Sequence, residues 1–172
     1  VGSEMCIRDR EWNTGFLDGN SFDEIIEIGA VKTDEEYREI DGFRRLIRPA
    51  IYRKMNPYIQ KILSITMKDL QNEEPLQAVA KAFFDWCGDC DTLIAWSGND
   101  FGVLEKNLAH IGMEVPKRLN RYDVQMAYSY RTEKSIRNYA LKTAVEAMEL
   151  PEPEDQAYHD AYCDAQFTAA IG

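Results

Sequence analysis

The order of apolar segments along the chain constrains its fold more than any other sequence feature. Residues 25–32 (IIEIGAVK) form an apolar, β-branched run typical of a strand. Residues 40–48 alternate partly between apolar and polar and predict a second strand, which Pro49 ends. Pro75 then opens an amphipathic helix that ends at Gly88, the residue types preferred at those two positions.

The second half of the chain alternates between helices and short strands. We predict a short helix at 57–63, a strand at 91–96, a helix at 100–111, a brief strand at 122–124, a helix at 135–148 capped by Ser135, a loop at 151–155 and a helix from 157 onward. Adjacent strands followed by alternating helices and strands predict an α/β fold, with a mixed sheet of about five strands flanked by helices.

Composition narrows the class of protein. A chain of 172 residues with 45% hydrophobic and 29% charged residues is typical of a single soluble globular domain. The net charge of −10 argues against tight, non-specific binding to duplex nucleic acid, which basic proteins favour. Four scattered cysteines and the lack of a long apolar run predict a cytoplasmic protein that does not interact with membranes.

The first ten residues, VGSEMCIRDR, differ in character from the rest and resemble a translated sequencing-library adapter. We therefore expect residues 1–10 to be a non-native segment and residues 11–172 to be a single domain, with its last helix truncated. Arg8 and Arg10 are poor residues for a buried strand, so we also expect a lower stability than that of a natural parent.

The segment Trp86–Cys90 (WCGDC) resembles a thioredoxin redox box. In such a box the cysteines open a helix, whose N-terminus lowers the pKa of the first thiol. Here the segment ends a predicted helix and precedes a strand. We interpret Gly88 as a helix C-cap between two cysteines that have no redox role.

Three short polar motifs lie far apart along the chain: Asp9-Arg10-Glu11, Asn99-Asp100, and His159 followed five residues later by Asp164. Each alone is typical of a solvated strand or a helix cap. Together and in this order they resemble the DEDD exonucleases, the proofreading-exonuclease-like group of the ribonuclease H-like fold. Position 160 holds Asp and not Tyr, and His159 lies just before it, so the resemblance is to the histidine branch (DEDDh).

The resemblance implies a metal-dependent 3′→5′ exonuclease with a two-metal mechanism. Two Mg²⁺ or Mn²⁺ ions would activate the attacking water and neutralise charge on the leaving oxygen, and such ions prefer oxygen ligands. His159 would be the general base, since its ordinary pKa of about 6.5 suits proton transfer near neutrality. The implied metal ligands are Asp9, Glu11, Asp100 and Asp164, and the implied catalytic residues are His159 and Glu11.

The resemblance also implies a substrate, the 3′ end of single-stranded DNA or RNA, which would be cut to nucleoside 5′-monophosphates. The residues that would contact the terminal nucleotide are Trp12, Asn13, Thr14, Ile65 and Thr66. Asp123 corresponds to an aspartate with a structural role. No motif reports contact with a 2′-hydroxyl, so the sequence does not distinguish DNA from RNA as the substrate. The sequence also identifies no protein partner. A second hypothesis is an exonuclease-fold binding or regulatory module without catalytic activity.

Overall fold

The computed structural model describes residues 2–7 (as backbone), 22–35, 38–55, 60, 65–134, 139–150 and 161–171. The strands are β1 (Gly2–Ile7), β2 (Glu27–Thr33), β3 (Glu39–Leu46), β4 (Thr92–Ala95) and β5 (Asn120–Asp123). The helices are α1 (Met67–Leu70), α2 (Leu76–Cys87), α3 (Gly98–His110), α4 (Val124–Glu133), α5 (Leu141–Ala147) and α6 (Ala161–Ile171).

The five strands form one mixed sheet in the order β3-β2-β1-β4-β5. β1, β2 and β3 are antiparallel neighbours, whereas β1, β4 and β5 run parallel. The predicted α/β fold with a mixed sheet is therefore confirmed. Residues 2–7, part of the adapter-like segment, form the central strand of this sheet. The non-native origin of residues 1–10 stays a prediction.

Helices cover both faces of the sheet because successive strand residues point to opposite sides. On one face, Ile28 of β2 and Leu93 of β4 lie in a buried cluster with Phe83 of α2 and Leu104 of α3.

On the other face, Ile94 and Trp96 lie in a cluster with Cys163 and Phe167 of α6. Val31 of β2 packs against further α6 residues in a third cluster. The alternation within β4, where Leu93 and Ile94 belong to different clusters, produces a three-layer arrangement of helix, sheet and helix.

Helix α2 has the predicted ends. Pro75 is its N-cap, and Gly88 is its C-cap with a φ of 53°, a backbone conformation that favours glycine. The thiols of Cys87 and Cys90 are buried in the core. The WCGDC segment is thus a helix end, as interpreted from the sequence, and it lacks the geometry of a redox box.

Other predicted boundaries need correction. Helix α3 begins at Gly98, two residues before the predicted start, because the Ser97 hydroxyl accepts a hydrogen bond from Asn99 N–H at 3.3 Å. Helix α4 was not predicted.

The helix predicted at 135–148 is wrong in extent, since α5 begins at Leu141. The carbonyl of Tyr139 accepts from Trp96 Nε1 at 2.9 Å and from Gln125 Nε2 at 2.6 Å, so tertiary contacts occupy a group that a longer helix would use. Of the short helix predicted at 57–63, only residue 60 is described, and it is helical. The capping role of Ser135, the loop predicted at 151–155 and the helix start at 157 lie outside the described residues.

Candidate active site

The parallel strands β1 and β4 point their carboxyl ends to the same edge of the sheet. β1 ends at Ile7, and β4 ends at Ala95. Asp100 follows in the first turn of α3 and is partly exposed. The outer edge at the carboxyl ends of parallel strands is a common place for a functional site in α/β proteins.

Helix α6 brings Asp164 close to the same edge. Its first residues lie directly against β2, where a Cβ at Gly29 would be 2.4 Å from the Ala161 carbonyl carbon. Gly29 is paired with Cys6, one residue before the carboxyl end of β1. Farther along α6, Gln166 Nε2 donates to Glu39 Oε2 at 2.8 Å.

Glu39 is paired with Thr33, the last residue of β2, and the neighbouring Lys32 pairs with Ser3 near the amino end of β1. Helix α6 therefore starts near the carboxyl end of β1 and runs towards its amino end. Asp164 lies in the first turn and is only 3% exposed. The structure thus brings the first turns of α3 and α6, with Asp100 and Asp164, to one edge.

Asp123 fixes the first turn of α3. Its Oδ2 accepts from Gly98 N–H at 2.8 Å, and its Oδ1 accepts from Met126 N–H at 3.0 Å, so one carboxylate caps both α3 and α4. The register Ala95↔Asp123 places this carboxylate at the same edge. The geometry agrees with the structural role expected for Asp123.

The two described carboxylates fit a site for hard divalent cations. A buried carboxylate such as Asp164 is tolerated where it is hydrogen-bonded, ion-paired or bound to a metal, and Mg²⁺ prefers carboxylate oxygens. Within the described ranges, no three His, Cys, Asp or Glu side chains form a group that could hold a metal ion. Asp9, Glu11 and His159 lie outside those ranges, so the full ligand set stays a prediction.

Of the residues predicted to contact substrate, Ile65 and Thr66 are described and Trp12, Asn13 and Thr14 are not. Thr66 is the N-cap of α1, and its hydroxyl donates to Asp69 Oδ2 at 2.6 Å. This hydrogen bond, together with one from Thr66 N–H, lowers the pKa of Asp69 below its ordinary value. Thr66 therefore has a local structural role, and contact with substrate stays a prediction.

Tyr162 is a residue that sequence reasoning missed. Its ring lies against Gly42 of β3, and its hydroxyl donates to Glu39. Burial, and then the hydrogen bond and negative charge of Glu39 with a further contribution from Asp41, raise the pKa of Tyr162 to about 12. Glycines inside predicted strands, here Gly29 and Gly42, are the sequence signal for such a close approach.

No helix in the described part of the chain is long and apolar enough to cross a membrane.

Residues 14–171 match the family model of the exonucleases named after RNase T. A curated relative, the DNA polymerase III PolC-type of Clostridium perfringens (strain 13 / Type A), is 29% identical over 171 residues. That alignment covers 98% of this chain but only 11% of the polymerase, so the chain spans about a tenth of that relative.

Solved structures share the fold. The nuclease domain of 3′hExo, described as a DEDDh family member bound to rAMP, superposes with a TM-score of 0.82 at 17% identity and covers 99% of this chain and 88% of that one. Exonuclease I of E. coli in complex with a dA16 oligonucleotide has a TM-score of 0.73 at 14% identity, covering 99% and 40% of the two chains. These likenesses agree with the ribonuclease H-like architecture predicted from the sequence.

Proposed function

Because the chain belongs to the RNase T family of exonucleases, as its DEDDh motifs indicated, we propose that it hydrolyses phosphodiester bonds from the 3′ end of single-stranded nucleic acid. The products would be nucleoside 5′-monophosphates. One observation carries the proposal: the first turn of α3 with Asp100 and the first turn of α6 with Asp164 both lie near the edge of the sheet at which β1 and β4 have their carboxyl ends.

Four carboxylates would hold the metal ions. Asp100 and Asp164 supply two, and Asp9 and Glu11 follow β1 in the sequence by two and four residues. When bound, two Mg²⁺ or Mn²⁺ ions would lower the pKa of the attacking water and stabilise negative charge on the leaving oxygen. The all-carboxylate set suits these cations and does not suit softer metals.

His159 would accept the proton of the attacking water. It precedes Asp164 by five residues and so lies close in sequence to the turn that carries a metal ligand. A neutral imidazole near pH 7 is a competent proton acceptor. Glu11 would be a catalytic residue as well as a metal ligand.

The substrate assignment is supported by the ligands of proteins with the same fold. The 3′hExo structure holds rAMP, a nucleoside monophosphate, and the exonuclease I structure holds an oligodeoxynucleotide. Trp12, Asn13, Thr14, Ile65 and Thr66 would contact the terminal nucleotide of either DNA or RNA. We also propose a cytoplasmic location, based on composition and cysteine usage alone.

The direct test is digestion of matched 5′-labelled DNA and RNA oligonucleotides, single- and double-stranded, with Mn²⁺ or Mg²⁺. Shortening from the 3′ end should give a ladder, and His159→Ala and Asp164→Asn should each nearly abolish it. The chain offers matched controls in its other histidine, the exposed His110, and in the exposed Asp89. His110→Ala and Asp89→Asn should digest at the wild-type rate, and full activity in His159→Ala or Asp164→Asn would refute the proposal.

A calorimetric Mn²⁺ titration distinguishes the enzyme from a binding module of the same fold. The proposal requires Mn²⁺ binding that Asp164→Asn weakens and Asp89→Asn does not. The same titration should be repeated on a variant in which residues 1–10 are replaced by an authentic N-terminal strand. If that variant binds oligonucleotide but takes up no Mn²⁺, the protein is instead a binding module.

A further inference from the structure

Three large side chains lie exposed on β5 and α4, the two elements that meet at Asp123. Tyr122 at the end of β5 is 50% exposed, and Met126 and Tyr130 on α4 are 48% and 59% exposed. We refer to these three residues as the outer stripe. Their spacing of four residues places Met126 and Tyr130 on one face of the helix, with levels about 6 Å apart.

The outer stripe is not an accidental edge of the core. The opposite face of α4 is already packed, since Val124 is buried and the ring of Tyr128 lies 5.8 Å from Trp96 and 5.7 Å from Tyr139. Helix α4 therefore has an apolar face towards the core and a second large apolar row towards solvent. Contiguous exposed apolar surface is a feature of binding sites.

The sequence that contains the outer stripe is basic, whereas the whole chain is acidic. Residues 117–134 carry five basic and two acidic residues, in a chain with a net charge of −10. The basic residues are Lys117, Arg118, Arg121, Arg131 and Lys134. A basic segment in an acidic protein favours a polyanion over a typical protein partner.

Two of these basic groups lie at the C-terminal end of α4, Arg131 in its last turn and Lys134 as its C-cap. Arg131 and Lys134 are exposed, and the Lys134 ammonium lies 5.6 Å from the centre of the Tyr130 ring. Arg121 is ion-paired with Glu105, and Arg118 donates to the carbonyl of Cys90. Arg131 and Lys134 are thus the cations best placed to meet phosphate groups beside Tyr130.

The outer stripe is continuous with the candidate active site. Asp123 follows Tyr122 directly, and its carboxylate accepts from Met126 N–H and from Gly98 N–H. Gly98 lies in the same helical turn as Asp100. A strand leaving the site along α4 would therefore meet Tyr122 and Met126 before Tyr130.

We propose that the outer stripe is a binding track for the part of a single-stranded nucleic acid that lies 5′ to the nucleotide being removed. Tyr122 and Tyr130 stack on bases, Met126 fills the space between them, and Arg131 and Lys134 contact phosphates. Stacking on aromatic side chains beside basic groups is the physical basis of sequence-tolerant single-strand binding. The inference deepens the proposed function and rests on it for the direction of the strand.

The first test compares substrates of two lengths. The double variant Tyr122→Ala/Tyr130→Ala should lower kcat/KM for an oligonucleotide of about 12 nucleotides by tenfold or more, relative to kcat/KM for a trinucleotide. The variant Tyr122→Phe/Tyr130→Phe, which keeps the rings, should retain the wild-type ratio. Ile40→Ala, at an exposed apolar residue of edge strand β3, is the matched control and should also keep that ratio. An unchanged ratio in the double alanine variant overturns the track.

The second test measures binding without catalysis, so that failure of the track and failure of the proposed function can be told apart. Fluorescence anisotropy with a labelled oligonucleotide of about 12 nucleotides in EDTA should show weaker binding by the double alanine variant. Arg131→Gln/Lys134→Gln should weaken binding and reduce its dependence on salt. If no oligonucleotide is digested but this pattern holds, the exonuclease proposal fails and the outer stripe still binds nucleic acid. Equal binding by wild-type and double alanine proteins overturns the track. The outer stripe would then be a surface for a protein partner.

Discussion

Gly29 of β2 and Ala161 of α6 are in such close contact that the helix backbone lies where a side chain at position 29 would be. A Cβ built at Gly29 would be 2.4 Å from both the Ala161 carbonyl carbon and the Tyr162 nitrogen. Because these are backbone atoms, neither can move away by changing a rotamer. The contact fixes the height of α6 above the sheet, and with it the position of Asp164 in the same first turn.

We therefore expect Gly29→Ala to destabilise the fold by about 3 kcal/mol, the upper end of the usual cost of overpacking. Activity should fall further than stability alone predicts, because α6 must shift with Asp164. Urea denaturation and digestion assays at a temperature where the variant is folded would measure both effects.

Gly102 on α3 provides the control for this substitution. It lies within a helix, and a Cβ there would meet nothing within 4 Å. Gly102→Ala should therefore raise the free energy of unfolding by about 0.5–1 kcal/mol. Equal stability of Gly29→Ala and wild type would contradict the close packing of α6 on β2.

The elements that the sequence predicted well are those in which local pattern and tertiary packing agree. The strand at 25–32 was found because both faces of β2 are covered, which gives a continuous apolar run. Helix α2 was found because its apolar side is buried and its ends have residues with clear preferences. Asn99-Asp100 was correctly placed at the start of a helix, although the cap is Ser97.

The elements that the sequence did not predict depend on tertiary contacts. Helix α4 has no clean amphipathic pattern because Met126 and Tyr130 are exposed while Val124 is buried. The nonhelical backbone at Tyr139 is held by side chains of Trp96 and Gln125, which no local pattern reports. For the site, motif order selected Asp100 and Asp164, whose roles stay a prediction, and the position of Asp164 at the edge of the sheet depends on the packing of α6 at Gly29.

Asp123 should be more important for stability than an ordinary helix cap. Asp123→Ala removes the acceptors of two backbone N–H groups, from Gly98 and Met126, so we expect a loss of about 2–3 kcal/mol. Digestion should also slow, because the first turn of α3 carries Asp100. Chemical denaturation and kcat measured on the folded variant would report the two effects separately.

Ser97→Ala is the matched comparison because Ser97 caps the same helix through a single, longer hydrogen bond of 3.3 Å to Asn99 N–H. It should lose about 0.5–1 kcal/mol. If Asp123→Ala were no more destabilising than Ser97→Ala, the double cap would be energetically unimportant.

The capping box of α1 predicts a pH dependence. The pKa of Asp69 is lowered first by the hydrogen bond from the Thr66 hydroxyl and then by that from Thr66 N–H. A folded-state pKa below the unfolded value of about 3.9 stabilises the fold above that pH, and the contribution is lost as the pH falls through the lower folded-state pKa. NMR titration of the Asp69 carboxyl would measure this pKa directly.

Two substitutions at Thr66 isolate the hydroxyl. Thr66→Val removes it at nearly constant shape and should raise the pKa of Asp69 towards its ordinary value, which weakens the acid-side dependence of stability. Thr66→Ser keeps the hydroxyl and should keep the lowered pKa. An equally low Asp69 pKa in Thr66→Val would show that the hydroxyl is not the main cause.

Glu24 should stabilise the segment that precedes β2 through its contacts with the backbone of residues 50–52. The side chain is 7% exposed, and its two oxygens accept from Ala50 N–H at 2.6 Å, Ile51 N–H at 3.0 Å and Tyr52 N–H at 3.0 Å. Glu24→Gln removes the charge and replaces one acceptor with a donor that would face an N–H group. We expect it to destabilise the protein by about 2 kcal/mol, and Glu24→Ala by about 3 kcal/mol.

Thermal and urea denaturation should give both values, with the exposed Glu35→Gln as a control that changes stability by less than about 0.5 kcal/mol. A Glu24→Gln protein as stable as Glu35→Gln would mean that water replaces the carboxylate at these N–H groups without loss.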